Sequence, residues 1–148
     1  MGRPSIYEYA GGDQAFLRLA ERHHERCLAD PQLNHPFSHP ETNPRHIERL
    51  AAYWAEVFGG PATFPGGHSA MLTVHSCQEI PDDFNERFFA CFVGALDDAG
   101  FAAEVQPALK AYMRAAIEEV ARYSPKGSVI PENLPTPGWG WDGPIAIA

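Results

Sequence analysis

Seven histidines, His23, His24, His35, His39, His46, His68 and His75, are crowded at or before residue 75 of a 148-residue chain. Imidazole is the commonest side-chain ligand for transition metals, so this asymmetry points to a metal or cofactor site. Two of the seven fall on apolar helix faces. His24 shares a face with Leu17, Ala20, Cys27 and Leu28, and His46 shares one with Leu50 and Trp54 at spacings of four. A histidine among apolar residues must either hydrogen-bond or ligate something. His75 differs, closing the short apolar run Ala70-Met71-Leu72-Thr73-Val74 after a glycine-rich loop. A ligand there would be held by a short, loop-flanked helix.

Other site chemistries fit poorly. Zinc needs three or four close ligands, and adjacent His23-His24 diverge on a helix. A di-iron bundle needs two Glu-x-x-His pairs; Glu21 and His24 supply one. No GxSxG, P-loop or GxGxxG is present. Three cysteines, Cys27, Cys77 and Cys91, without CxxC spacing, are expected to be reduced, partly buried thiols.

The elements that position these residues read as helices. Gly11-Gly12 makes a first break, and Asp13 can cap a helix running to about Ala29, where Asp30-Pro31 ends it. The prolines of the segment from His35 to Pro40 forbid a long helix. Thr42 or Asn43 can cap the next, with Pro44 at its first position and an apolar stripe through Ile47, Leu50, Trp54 and Phe58. Gly59-Gly60-Pro61 stops it. Two turns fit from Ser69 to about Ser76. Further helices are expected from Asp82 to about Asp98, with Phe84, Phe88, Phe92 and Ala95 inward, and from about Ala103 to Tyr123. The tail from Pro131 to Ala148 is expected to be irregular, pinned by Trp139 and Trp141. The fold class is all-α.

Composition bounds the partners. A net charge of -8 disfavours nucleic acid and anionic membranes. No run is apolar enough to span a bilayer, and the first residues form no signal core, so a cytoplasmic location is expected.

Together the motifs resemble the truncated haemoglobins, in particular their second group. They are Tyr7-x-Tyr9-x-Gly11-Gly12, Leu28-Ala29-Asp30-Pro31-x-Leu33, Phe37 before a proline-rich turn, Tyr53-Trp54-x-x-x-Phe58-Gly59-Gly60-Pro61, and Gly67-His68 ahead of His75. The resemblance implies a two-over-two helical sandwich around haem b over residues 1–123, followed by an extension over 124–148 packed on it. It makes His75 the proximal iron ligand and Phe37 the aromatic against the haem face. His46 falls on the distal position facing the sixth coordination site, and Leu50 on the distal apolar wall. Leu72 and His68 fall among the cofactor contacts. Two residues depart from the family pattern: His24 stands where many members carry tyrosine, and Phe88 where tryptophan is usual. With Phe88 a hydrogen-bond donor is lost, while two imidazoles can replace the cage. His68, Lys110 and Arg114 are weak stand-ins for the arginines many members place near the propionates.

Several functions follow from the resemblance and stay open at the level of sequence. One is reversible binding of a diatomic gas, whether oxygen, nitric oxide or carbon monoxide. Another is an enzyme, a nitric oxide dioxygenase or peroxidase-like protein served by an external reductase. His46 or His24 could also bind the iron directly. A haem-free or metal-binding helical module is the remaining class. The oligomeric state is open, a dimer included.

Overall fold

The computed structural model describes residues 4–31, 45–61, 72, 83–123, 127–132, 134 and 136–145, with only the backbone of His46. Five helices and one hairpin are found there: α1 (Ile6–Ala10), α2 (Asp13–Ala29), α3 (His46–Val57), α4 (Phe84–Asp98), α5 (Gln106–Tyr123), β1 (Gly138–Gly140) and β2 (Gly143–Ile145).

The first helix is short and locally specified. Ser5 Oγ accepts from the Glu8 N–H at 3.2 Å, capping it, and Gly11 at φ 120° ends it. Asp13 was expected to cap α2 through its side chain. It instead accepts a hydrogen bond from the Tyr7 hydroxyl at 2.8 Å, and Gly12 is the capping residue. The acidic group still sits in the first turn, where the helix dipole favours it. At the other end Asp30 is extended, as the residue before a proline must be. The start of α3 is irregular: Arg45 holds a left-handed conformation at φ 62° and gives no side-chain cap. The expected capping residues Thr42 and Asn43, and Pro44, lie outside the described residues.

Packing follows the apolar stripes. Helix α2 lies against both α3 and α4, α4 lies against α5, and α1 braces the start of α2. The core is strongly aromatic: Phe16, Trp54, Phe58, Phe92, Phe101 and Tyr112 are buried together with Leu19, Leu96 and Leu109. Phe16 stacks on Phe58 at 5.8 Å and stands edge-on to Phe101 at 5.6 Å. Such pairs add about 0.5–1.5 kcal/mol each beyond area burial. The Tyr7 N–H donates to the Phe58 carbonyl at 3.0 Å, tying α1 to the end of α3. That approach requires Gly60, since a Cβ there would stand 2.6 Å from the Tyr7 ring and 2.8 Å from the Ala55 carbonyl oxygen.

The C-terminal tail departs from expectation. Strands β1 and β2 pair antiparallel, Trp139 opposite Pro144 and Gly140 opposite Gly143. Three-residue strands built from glycine, proline and tryptophan carry no alternating pattern to read. The tryptophans do anchor the tail. Trp139 stands edge-on to Tyr112 at 5.8 Å, and Trp141 edge-on to Tyr9 at 5.1 Å while its Nε1 donates to the Pro4 carbonyl at 2.9 Å.

Candidate functional site

The interface of α2, α3 and α4 brings an imidazole into the aromatic core, and it is His23 rather than His24. His23 is fully buried. Its ring stands edge-on to Phe88 at 4.6 Å, to Trp54 at 5.6 Å and to Phe92 at 6.0 Å. One turn on, Cys27 Sγ lies 3.6 Å from His23 Nε2. The buried face of α2 is therefore Phe16, Leu19, Ala20, His23 and Cys27. Of the expected face through Leu17, Ala20, His24, Cys27 and Leu28, Ala20 and Cys27 are buried, Leu17 and His24 lie at the margin, and Leu28 is exposed. The signal was in the sequence: positions 16, 20, 23 and 27 recur at spacings of four, three and four.

His24 sits at the margin of that core, half-buried, with its Nδ1 shielded. Burial pushes its pKa below the ordinary value, with Glu25 opposing, so the neutral ring is favoured. A neutral imidazole has one donor and one acceptor nitrogen.

Several apolar groups at the core edge are incompletely covered. Ile47 and Leu50 on α3 and Phe88 on α4 are partly buried against the core edge. Phe84 stacks on Phe88 at 6.4 Å. Leu72 is fully buried in helical backbone. His46 is the first residue of α3. The remaining sequence-derived candidates, His75, Phe37 and His68, lie outside the described residues, as does Cys77. Arg114 is engaged elsewhere, paired with Glu86 at 2.8 Å and lying over the Phe89 ring at 3.8 Å. It makes a poor propionate partner.

Ion pairs frame the same helices. Arg26 on α2 grips Asp98 of α4 in two hydrogen bonds of 2.6 and 3.0 Å, and Arg87 on α4 reaches Asp30 at 3.1 Å and Asp83 at 2.8 Å. Gly94 makes room for the first of these, since any side chain there would strike the Arg26 guanidinium.

A shallow depression lies between α5 and the hairpin. It measures about 190 Å³ and is lined by Tyr53, Tyr112, Glu119, Arg122 and Trp139 among others. That is below the about 300 Å³ at which ligand pockets begin, and no histidine lines it. Among the described residues no group of three or more His, Cys, Asp or Glu could hold a metal ion. No described helix is long and apolar enough to cross a membrane.

The comparison that decides the family is the match of the bacterial-like globin model to residues 5–121. The chain belongs to the bacterial-like globin family. Solved structures agree with the assignment. The haemoglobin of the thermophilic phototroph Chloroflexus aurantiacus is 28% identical, with a TM-score of 0.70 over 80% of this chain and 98% of that one. The thermostable haemoglobin of the actinobacterium Thermobifida fusca is 28% identical, with a TM-score of 0.69 over 79% and 96%. The group II truncated haemoglobin of Bacillus anthracis shares the fold at 19% identity, with a TM-score of 0.69 over 81% and 92%. No curated protein matches.

This globin has the truncated fold expected from its motifs, mostly helical with a short C-terminal hairpin. The family implies haem and a small ligand bound to it. The residues present fit such a group. Partly buried Ile47, Leu50, Phe84 and Phe88 and the neutral-favoured imidazole of His24 are residue types compatible with a porphyrin.

Proposed function

We propose that this globin binds haem b through His75 and takes a diatomic gas, dioxygen first, on the opposite side, under His24 and His46. The reading rests above all on the family match over residues 5–121, a span that includes His75 and both distal candidates. In the same reading Phe37, Leu50, His68, Leu72 and Phe88 contact the cofactor, and residues 124–148 are an extension outside the globin domain.

Haem supplies an iron able to bind small gases. The chain supplies the rest. A neutral His75 offers one ring nitrogen as ligand, and its other N–H needs an acceptor to fix the ring. His24, favoured neutral by burial, can turn its N–H toward a ligand that carries partial negative charge. One such hydrogen bond is worth about 1–2 kcal/mol, or roughly tenfold in ligand release. Phe88 donates nothing, so it contributes packing and water exclusion. With Phe88 in place of a donor, His24 and His46 carry the polarity of the pocket.

The test is spectroscopic. The purified protein is expected to show a strong Soret band that is lost in His75→Ala. His24→Phe and His46→Leu are each expected to speed dioxygen release by roughly tenfold. A colourless protein that takes up no added haemin would overturn the cofactor assignment. Release rates altered less than about twofold, below one hydrogen bond's worth, would overturn the distal roles. Enzymatic turnover is a second reading, favoured by two imidazoles that could move a proton. Steady peroxide or nitric oxide consumption with an added reductant, lost in both distal variants, would establish it.

A further inference from the structure

Two thiols meet where α2 crosses α4. Cys27 is fully buried, Cys91 is 8% exposed, and together they form a cluster separate from the main core, closed by Phe84 and Phe88. Both are free. Cys27 and Cys91 pack against each other in that cluster. A disulfide between them forms when the sulfurs close to about 2.05 Å. The setting of the two sulfurs differs. Cys91 keeps a small exposed area; burial and Asp30 disfavour its thiolate, and the charges of Arg26 and Arg87 partly offset them. Those guanidiniums are held by Asp98, Asp83 and Asp30. Cys27 faces inward, against His23.

We propose that Cys91 and Cys27 form a dithiol redox site that takes small two-electron oxidants of the peroxide class, Cys91 reacting first and Cys27 resolving. The Cys91 sulfur attacks one peroxide oxygen and the O–O bond breaks. The departing hydroxide takes up the Cys91 proton as water, leaving a sulfenic acid. The Cys27 sulfur then attacks the Cys91 sulfur, the S–O bond breaks, and a second water leaves with the Cys27 proton. Two S–H bonds and one O–O bond are lost, and one S–S bond and two O–H bonds are gained. Two thiols are oxidised by two electrons and peroxide is reduced to two waters. Burial pushes both thiols up, Cys27 most strongly, so the site reacts more slowly than an exposed cysteine and answers to sustained oxidant. The link would fasten α2 to α4 beside Phe88. The thiol chemistry needs no haem, although Phe84 and Phe88 border both the thiols and the proposed cofactor lining.

The full chain, first reduced, is treated with rising hydrogen peroxide, alkylated, digested and mapped by mass. The expected result is a loss of two hydrogens and one cross-linked peptide joining Cys27 to Cys91, reversed by dithiothreitol. Diamide, a thiol-selective oxidant, gives the same link without peroxide chemistry elsewhere in the protein. Cys77→Ser keeps the link and Cys91→Ser abolishes it. Should Cys91→Ser fail to fold, the wild-type map alone decides. A link through Cys77, a link between molecules, or Cys91 carried on to sulfinic acid with Cys27 still free would overturn the proposal.

Discussion

The imidazole of His23 stands edge-on to the phenyl ring of Phe88, with centroids 4.6 Å apart and planes at 77°. A polar ring thus occupies the centre of an apolar contact between α2 and α4, while its neighbour His24 lies at the rim. The two adjacent histidines should therefore separate cleanly by experiment. His23→Ala removes a fully buried ring and is expected to cost about 3 kcal/mol, as large-to-small core changes do. His24→Ala should cost less than about 1 kcal/mol. Denaturant unfolding of the two variants checks this; equal losses would mean the α2 face is assigned wrongly.

Two glycines should respond differently to the same methyl group. Gly60→Ala drives a Cβ against the Tyr7 ring and the Ala55 carbonyl, neither of which can yield without moving α1 or α3. A loss of about 2 kcal/mol or more is expected. Gly100, at φ +79°, has open space around it, so Gly100→Ala meets only backbone strain of about 1–2 kcal/mol. Combining Gly60→Ala with Tyr7→Ala should recover part of the first loss, and thermal melts of the set would show it.

Acid stability should report the ion pairs that cross between helices. The Arg26 guanidinium holds the Asp98 carboxyl below its ordinary value, and Arg114 does the same for Glu86. A depressed carboxylate contributes stability above its unfolded pKa, 3.8 for Asp98 and 4.5 for Glu86. That contribution drains away as pH falls through the lower folded values. Both groups are exposed, so the effect is small and should shrink further in salt. Asp98→Asn should flatten the lower part of an acid-unfolding curve; an unchanged slope would show that the pair contributes nothing.

The phenols of Tyr53 and Tyr112 should be silent in an alkaline titration of the native protein. Burial is the main cause in both, and it holds them protonated well above the ordinary tyrosine range. Each of the two phenols also senses the other. Of the five tyrosines, these two should ionise only as the fold opens, in one step with unfolding followed by circular dichroism. Tyr53→Phe should reduce the amplitude of that late step by about half, since one of the two delayed phenols is gone.

Much of the fold was legible because its boundaries are written in strong punctuation. Gly11-Gly12 and Asp30-Pro31 bracket α2 at Asp13–Ala29, and Gly59-Gly60-Pro61 closes α3. Helix α1 went unread, although Ser5-x-x-Glu8 is a recognisable start signal, because five residues give too little apolar period to weigh. The hairpin went unread because Trp139 and Pro144 pair across strands too short to alternate. On α2 the sequence reading placed His24 on the apolar face, whereas His23 is the fully buried ring; His75, Phe37 and His68 lie outside the described residues. His23 and His24 differ by 100° around a helix, and only the spacing of Phe16, Ala20 and Cys27 tells which one points inward.

The hydrogen bond from Trp141 to the Pro4 carbonyl has a use beyond stability. It sets the opening and closing segments of the described chain side by side, with Tyr9 lying against the same indole ring. A short glycine-serine bridge could therefore join them, and new ends could be opened at the exposed Gly100 turn without cutting any helix. Circular permutation there would reverse the order in which the α2–α3 and α4–α5 halves leave the ribosome while preserving every contact between them.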